Sequence, residues 1–284
     1  MTGVLDTHVH VWDPRTLDYA WLDGLTALDL PFLPDDYRRA GGADRVVFVQ
    51  ADCRPEQSID EARWVGSLDW PELAGIVAAA DLRSPDLERD LDGLAEVGRV
   101  VGIRHLLQDE DVAGFTDRSL KRGLAALADR GLTFDACIRH PQLDALVDLL
   151  ATVPGGRVVL DHVGKPPIGD GLDSAAGRRW AAGIHRLAAL PGTCVKLSGL
   201  PAEAMDAAAH EAHADDFLRL AVDVFGPDRA MLGSDWPVSA RVGASVAPDA
   251  WAERVRTATA LAAHEWAQVS FHTGTHFYGL PPDA

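Results

Sequence analysis

The chain has 284 residues, 47% hydrophobic and 24% charged, and a net charge of −17. That composition is ordinary for a globular protein, and the length suits one α/β barrel or two average domains. The acidity argues against nucleic acid and anionic membrane surfaces as partners, since both are themselves densely negative.

The first residues, MTGVLDTHVH, lack the basic segment and long apolar run of a signal peptide, and no stretch approaches the ~18 apolar residues of a membrane-spanning helix. Cys53, Cys137 and Cys194 are far apart, odd in number and without a CxxC pair. They speak against a disulfide framework or a thiolate metal site and fit a reducing cytoplasm.

In chain order, eight short apolar runs predict strands: Val4–His10, Arg45–Gln50, Leu73–Ala80, Val100–Arg104, Thr133–Ile138, Arg157–His162, Thr193–Ser198 and Ala230–Asp235. Several are nearly continuous in apolar residues, as parallel strands covered on both faces require. Between them the spacing is helical, as in Leu87/Leu91/Leu94, Leu120/Leu124/Leu127 and Leu143/Leu146/Val147/Leu150. Phe217, Leu220, Ala221, Val224 and Phe225 form the widest stripe. Ser84-Pro85 and Ser174 read as helix starts, and Gly98, Gly131 and Gly226 as stops. No linker divides the chain, so residues 1–284 are expected to form one domain. Strands alternating with helices predict a parallel sheet, and eight repeats suggest its closure into a (β/α)8 barrel rather than an open doubly wound sheet. No GxGxxG or GxxxxGK[ST] loop follows any strand, which removes the common nucleotide sites of open sheets.

Active sites of β/α-barrels collect at the C-terminal strand ends. Here nearly every run ends in a polar or ionisable group, including His8-Val9-His10, Gln50, Arg104, His162, Lys196 and Asp235. In a strand, residues i and i+2 share a face, so His8 and His10 can address one point as two ligands of one metal would; alternatively the pair simply hydrogen-bonds within the core. His162 is either aimed at a pocket by the following Gly164-Lys165-Pro166 loop or is a core histidine satisfied by a carbonyl. A buried Asp235 needs a cation or donors. Arg104 offers a planar fork for a carboxylate or ring oxygens, or a structural salt bridge. Gln50 could address sugar hydroxyls, and Trp12 and Trp236 could stack on a ring or seal the barrel top. Lys165 reaches either the pocket or solvent, while His105 and His140 read as surface histidines.

Taken in order, Asp6-Thr7-His8-Val9-His10 with Trp12-Asp13-Pro14, Gly102-Ile103-Arg104, Leu160-Asp161-His162-Val163-Gly164-Lys165-Pro166, Val195-Lys196-Leu197-Ser198-Gly199-Leu200 and Gly233-Ser234-Asp235-Trp236-Pro237 resemble the amidohydrolase-related family of sugar lactonases and pyrone-dicarboxylate lactonase. The matches run from the first strand to the eighth. The resemblance implies a distorted TIM barrel and hydrolysis of a small-molecule lactone. It implies that His8, His10, His162 and Asp235 hold one divalent ion, zinc by preference, or that the imidazoles polarise the carbonyl with no metal, as members of this branch can. Asp235 and His162 would be catalytic, with Asp235 activating water. No histidine follows Lys196-Leu197-Ser198, so a binuclear centre is not expected. Thr275-His276 stands where an Asn-Ala pair is expected, and His276 has no assigned role. Two other readings are a metal-dependent decarboxylase, which would need a further histidine, and a non-catalytic barrel binding a sugar acid. Self-association into a homo-oligomer is compatible with the sequence but not indicated by it.

Overall fold

The computed structural model describes residues 3–204 and 206–281. Eight parallel strands form one sheet in sequential order: β1 (Leu5–Val9), β2 (Arg45–Val49), β3 (Leu73–Ala79), β4 (Val100–Leu106), β5 (Thr133–Cys137), β6 (Val158–Leu160), β7 (Thr193–Leu197) and β8 (Ala230–Leu232). Seven of the eight predicted runs contain their strands; the fourth, read as Val100–Arg104, falls short of β4, which continues through His105 to Leu106. Runs six and eight end sooner than read, because the chain turns out of the sheet at Asp161 and at Gly233 to aim the next side chains inward.

The helices cover the outer face, and the apolar stripes read from spacing meet it: Leu87, Leu91 and Leu94 are buried, as are Leu120, Leu124 and Leu127. The Ser174 hydroxyl accepts the amide of Gly177 and caps the helix Ala175–Ala188. In the helix Ala207–Phe225 the buried face is Phe217, Leu218, Ala221, Val222 and Phe225. Leu220 and Val224, assigned to the stripe from spacing, are only partly buried at its edge. The barrel interior is a second apolar cluster that includes Leu5, Val47, Val77, Val159 and Met231. Phe277 and Tyr278, from the C-terminal helix Thr273–Tyr278, pack against it.

Closure runs through the seam between β1 and β8. The amide of Asp235 donates to the carbonyl of His8 (2.8 Å), the amide of His10 donates to Trp236 (2.8 Å), and the Thr7 hydroxyl donates to Leu232 (2.6 Å). Asp6 acts as the clasp. Its Oδ1 accepts the amides of Ser234 (2.8 Å) and His8 (3.1 Å), and its Oδ2 accepts the Tyr37 hydroxyl (2.8 Å). Burial pushes the Asp6 carboxyl up, and these donors work against that rise.

Glu61, on the helix Ser58–Ser67, plays a similar part behind β2, accepting the amide of Ala51 (3.1 Å). Burial pushes its carboxyl from 4.5 to about 7. The folded chain therefore binds this proton more tightly than the unfolded chain, and the group's contribution to stability declines as pH rises between those values.

Two stability outcomes are expected. Asp6→Ala should lower the unfolding free energy by roughly 2–4 kcal/mol, because it strands buried donors on both sides of the seam, as read by urea denaturation. Glu61→Gln keeps the acceptor without the charge, so it should raise the melting temperature relative to wild type at pH 8 and leave it unchanged at pH 4. An equal gain at both values would assign the effect to packing instead.

Candidate active site

The seam fixes the first-strand histidines beside Asp235. Nε2 of His8 and Nε2 of His10 lie 3.2 Å apart. Oδ1 of Asp235 lies 3.5 Å from Nε2 of His10, 3.8 Å from Nε2 of His8 and 3.9 Å from Nε2 of His162. Four groups separated by up to 227 positions in sequence thus face one point. All four are buried.

Each group is held from behind. Nδ1 of His10 donates to the carbonyl of Val49 (2.7 Å), which leaves Nε2 with a free lone pair in the neutral ring. Nδ1 of His162 lies 3.1 Å from the Ser198 hydroxyl. Oδ2 of Asp235 accepts the Ser239 hydroxyl (2.8 Å), so Oδ1 is the oxygen left for the cavity. Nδ1 of His8 faces Nζ of Lys196 at 3.2 Å and Oδ1 of Asp161 at 3.3 Å.

The backbone supplies the aim. His162, Val163, Gly164 and Lys165 all have positive φ, between 48° and 70°, and Asp235 has φ 58°. Such conformations in non-glycine residues cost of order 1–3 kcal/mol each and persist only where the surroundings enforce them. Here the Trp180 indole donates to the carbonyl of Val163 (2.8 Å), the amide of Lys165 donates to that of His162 (2.8 Å), and Lys165 pairs with Glu203 (2.6 Å). Gly199, at φ 74°, backs onto the imidazole, where an added Cβ would lie 2.2 Å from Nδ1 of His162.

Electrostatics follow from burial. Burial and the Lys196 charge hold His8 well below the usual imidazole range, against the pull of Asp161. Burial likewise lowers His162 well below it, against the pull of Asp235. Burial would raise Asp235, but His162, His10 and Ser239 hold its carboxyl below the ordinary value. At neutral pH His8 and His162 are therefore neutral imidazoles beside one carboxylate. Beneath it, the cations Lys196 and Arg104 face the anions Asp135 and Asp161, so these charges are matched to one another and not to Asp235.

That donor set fits a divalent cation. In a tetrahedral zinc site with bonds of ~2.0–2.1 Å, neighbouring donors lie about 3.3 Å apart, close to the separations seen here. Among the described residues, two sets of three donors have ligand atoms within 4.8 Å of one another: His8, His10 and Asp235, and His8, Asp161 and His162. The ammonium of Lys196, 3.1 Å from Asp161, repels a cation from the second set.

A cavity of about 240 Å³ opens above, lined by His10, His162 and Asp235 together with Trp12, Arg104 and Lys165. Gln50 and Trp236 are not among its lining residues. The Gln50 side chain is turned back to accept the amide of Asp52 (2.5 Å), and the Trp236 ring packs against Phe32 and Tyr37. Arg104 is buried and donates to the carbonyl of Gln50, so part of its fork is spent on the barrel floor. His105 bonds Glu110 (2.8 Å) and His140 lies 3.2 Å from the carbonyl of Lys165, both as scaffolding; His276 is exposed on the C-terminal helix. The sequence reading passed over Asp52, Trp21 and Glu203 as lining residues and Lys196, Asp161 and Asp135 as the floor. Asp52, Asp161 and Lys196 carry the strand-end signal; Trp21 and Glu203 lie outside strands and carry none.

This barrel, with histidines on β1 and after β6 and an aspartate after β8, is of the amidohydrolase type. The chain matches the Amidohydrolase family over residues 5–279 and belongs to it. It is 34% identical to an L-fucono-1,5-lactonase of Burkholderia multivorans, over 99% of this chain and 97% of that protein. It is also 34% identical to an L-fucono-1,5-lactonase of Burkholderia ambifaria, over 86% and 83%. A crystal structure of a Burkholderia multivorans amidohydrolase with bound zinc superposes with a TM-score of 0.86 at 32% identity, covering 99% of this chain and all of that one.

Gly199→Ala is expected to displace His162, because neither the positive φ nor the space accommodates a methyl group. Zinc affinity, measured by chelator competition, should fall at least about tenfold while the far-ultraviolet circular dichroism stays native. Unchanged affinity would mean that His162 is not a ligand.

Proposed function

We propose that this protein is a lactonase that opens the ring of a sugar-acid lactone, such as fuconolactone or rhamnonolactone, in one catalytic domain. The observation that carries the reading is the free Oδ1 of Asp235, set beside three Nε2 atoms at the base of a cavity sized for a small molecule. The kinship with L-fucono-1,5-lactonases over nearly the whole chain supports the same reaction.

Asp235 is the general base. Held ionised below the ordinary carboxylate range, it takes a proton from water at Oδ1, while Ser239 fixes Oδ2. Such help is typically worth 10²–10⁴-fold. The water's oxygen attacks the lactone carbonyl. Ring opening then returns the proton from Asp235 to the leaving alkoxide. His162 and His10 face the cavity; the Nε2 lone pair of His10 suits it to holding a cation, which would sit beside the carbonyl oxygen as negative charge develops there.

His8, His10, His162 and Asp235 would hold one divalent ion, and the donor chemistry favours zinc. When bound, it would supply Lewis-acid polarisation of the carbonyl. Trp12 offers an apolar wall, and Arg104 and Lys165 address the hydroxyls or ring oxygen. Gln50 bears on the cavity only through Asp52, whose amide it accepts.

Among the described residues no helix is long and apolar enough to cross a membrane. Cys53, Cys137 and Cys194 are buried and free, which supports a reducing compartment such as the cytoplasm, and the kinship with L-fucono-1,5-lactonases supports a role in carbohydrate metabolism.

A panel of aldonolactones assayed with a pH indicator, with and without chelator, tests the reaction and the cation together. Asp235→Asn should lower kcat at least 10²-fold with little change in melting temperature. Near-normal turnover by that variant at saturating substrate would overturn the assignment.

A further inference from the structure

Lys196 points up the barrel axis from β7 and is fully buried. Its ammonium contacts Oδ2 of Asp135 (2.5 Å), Oδ1 of Asp161 (3.1 Å) and Nδ1 of His8 (3.2 Å). A lysine can only donate and a backbone carbonyl can only accept. These two facts give direction to a chain of hydrogen bonds. Lys196 donates to Nδ1 of His8. Nε2 of His8 donates to Nε2 of His10 (3.2 Å), and Nδ1 of His10 donates to the carbonyl of Val49 (2.7 Å). With neutral rings, only one tautomer of each histidine satisfies the chain.

In that arrangement Nε2 of His8 carries a hydrogen and has no lone pair for a cation. The alternative is already built. Oδ2 of Asp161 is buried without a hydrogen-bond partner, and Oδ1, which faces the Lys196 ammonium at 3.1 Å, lies 3.3 Å from Nδ1 of His8. A buried carboxylate with acceptor capacity to spare beside a ring nitrogen is what the other tautomer needs.

We propose that Lys196 and Asp161 are positioning residues that select the tautomer of His8, Lys196 keeping the hydrogen on Nε2 when no cation is held and Asp161 accepting it from Nδ1 when one is. The ring stays neutral in both states and keeps one hydrogen, which moves from Nε2 to Nδ1. Lys196 then gives up its bond to His8 and retains Asp135, which the Tyr278 hydroxyl also supports (2.7 Å). The cost of breaking the Lys196–His8–His10 chain sets how tightly the cation is held. This inference rests on the cation-binding part of the reading above and is independent of which lactone is opened.

The test uses the whole wild-type protein first. Nitrogen-15 spectra of histidine-labelled enzyme, with His8 assigned by loss of its signals in His8→Asn, separate protonated from unprotonated ring nitrogens. Zinc-free protein should show hydrogen on Nε2 of His8, and one equivalent of zinc should move it to Nδ1. Hydrogen on Nδ1 before zinc is added would overturn the proposal. Chelator competition then gives zinc affinity. Asp161→Asn should weaken it about 10–100-fold. Lys196→Met combined with Asp135→Asn, which keeps the buried charge matched, should tighten it roughly tenfold against Asp135→Asn alone. A folded double variant that binds zinc equally or more weakly would show that Lys196 is only structural, and so sink the Lys196 half. If these variants do not fold, the wild-type spectra decide. Zinc-free spectra as expected, with no zinc binding, would reject the Asp161 half and the cation reading together. A failure to open lactones would reject only the reaction.

Discussion

An ammonium group at the centre of a β-barrel has no water to solvate it, and an unpaired charge there costs several kcal/mol. Lys196 is in that position, and much of the site is arranged around satisfying it. Asp135 comes from β5, Asp161 from the end of β6 and Tyr278 from the C-terminal helix. These contacts link β5, the end of β6 and the C-terminal helix to β7. Arg104, near Asp161, extends the cluster to β4 and, through the carbonyl of Gln50, to β2. His8 then adds β1. One buried cation thereby ties together strands from around the barrel, and the catalytic face rests on that layer.

The same constraint explains why the chain can hold an improbable backbone above it. Four successive residues from His162 to Lys165 lie in the left-handed region, although only one is glycine. A strand continued in the ordinary direction would carry His162 onward with the sheet. Turning left after Leu160 brings Asp161 to the Lys196 ammonium and His162 beside Asp235 in one step. The conformational cost is offset by the Trp180 and Lys165 bonds and by the charge pair. Gly199 and Gly233 give the imidazoles room: Cβ atoms there would lie 2.2 Å from the ring of His162 and 2.8 Å from Cβ of His8.

The eight strands were legible in the sequence because parallel barrel strands are buried on both faces and read as unbroken apolar runs. The four groups around the cavity base were legible because polar residues at the ends of such runs have few structural reasons to be there. The floor was harder to read. Lys196 stands in Thr-Cys-Val-Lys-Leu, where strand alternation says only that it faces the barrel interior, and its partners lie 61 and 35 positions away. Spacing along one strand carries no information about charge pairing across several. Gln50 and Trp236 misled for a related reason: both sit at strand ends, yet one side chain folds back on Asp52 and the other ring turns toward Phe32 and Tyr37. Trp21 and Glu203 reach the cavity wall from segments between strands, where no periodicity marks them.

The charge inventory of the barrel top connects the floor to the chemistry. With two cations facing two anions below, and His8 and His162 neutral, the Asp235 carboxylate at the cavity base is paired with no ammonium or guanidinium among the described residues. A lone carboxylate in a largely buried pocket is costly unless something positive shares the space. The Ser239 hydroxyl relieves this in part, and three imidazole nitrogens stand where a cation would need its ligands. In the proposed hydrolysis, a proton passes from water to Asp235 and the negative charge lost there appears on the carbonyl oxygen. The number of charges at the cavity base is therefore conserved through the step, and only their position changes. A site already organised around a single negative charge needs little rearrangement to follow that movement, which is the condition under which fixed dipoles and ions stabilise a transition state most effectively.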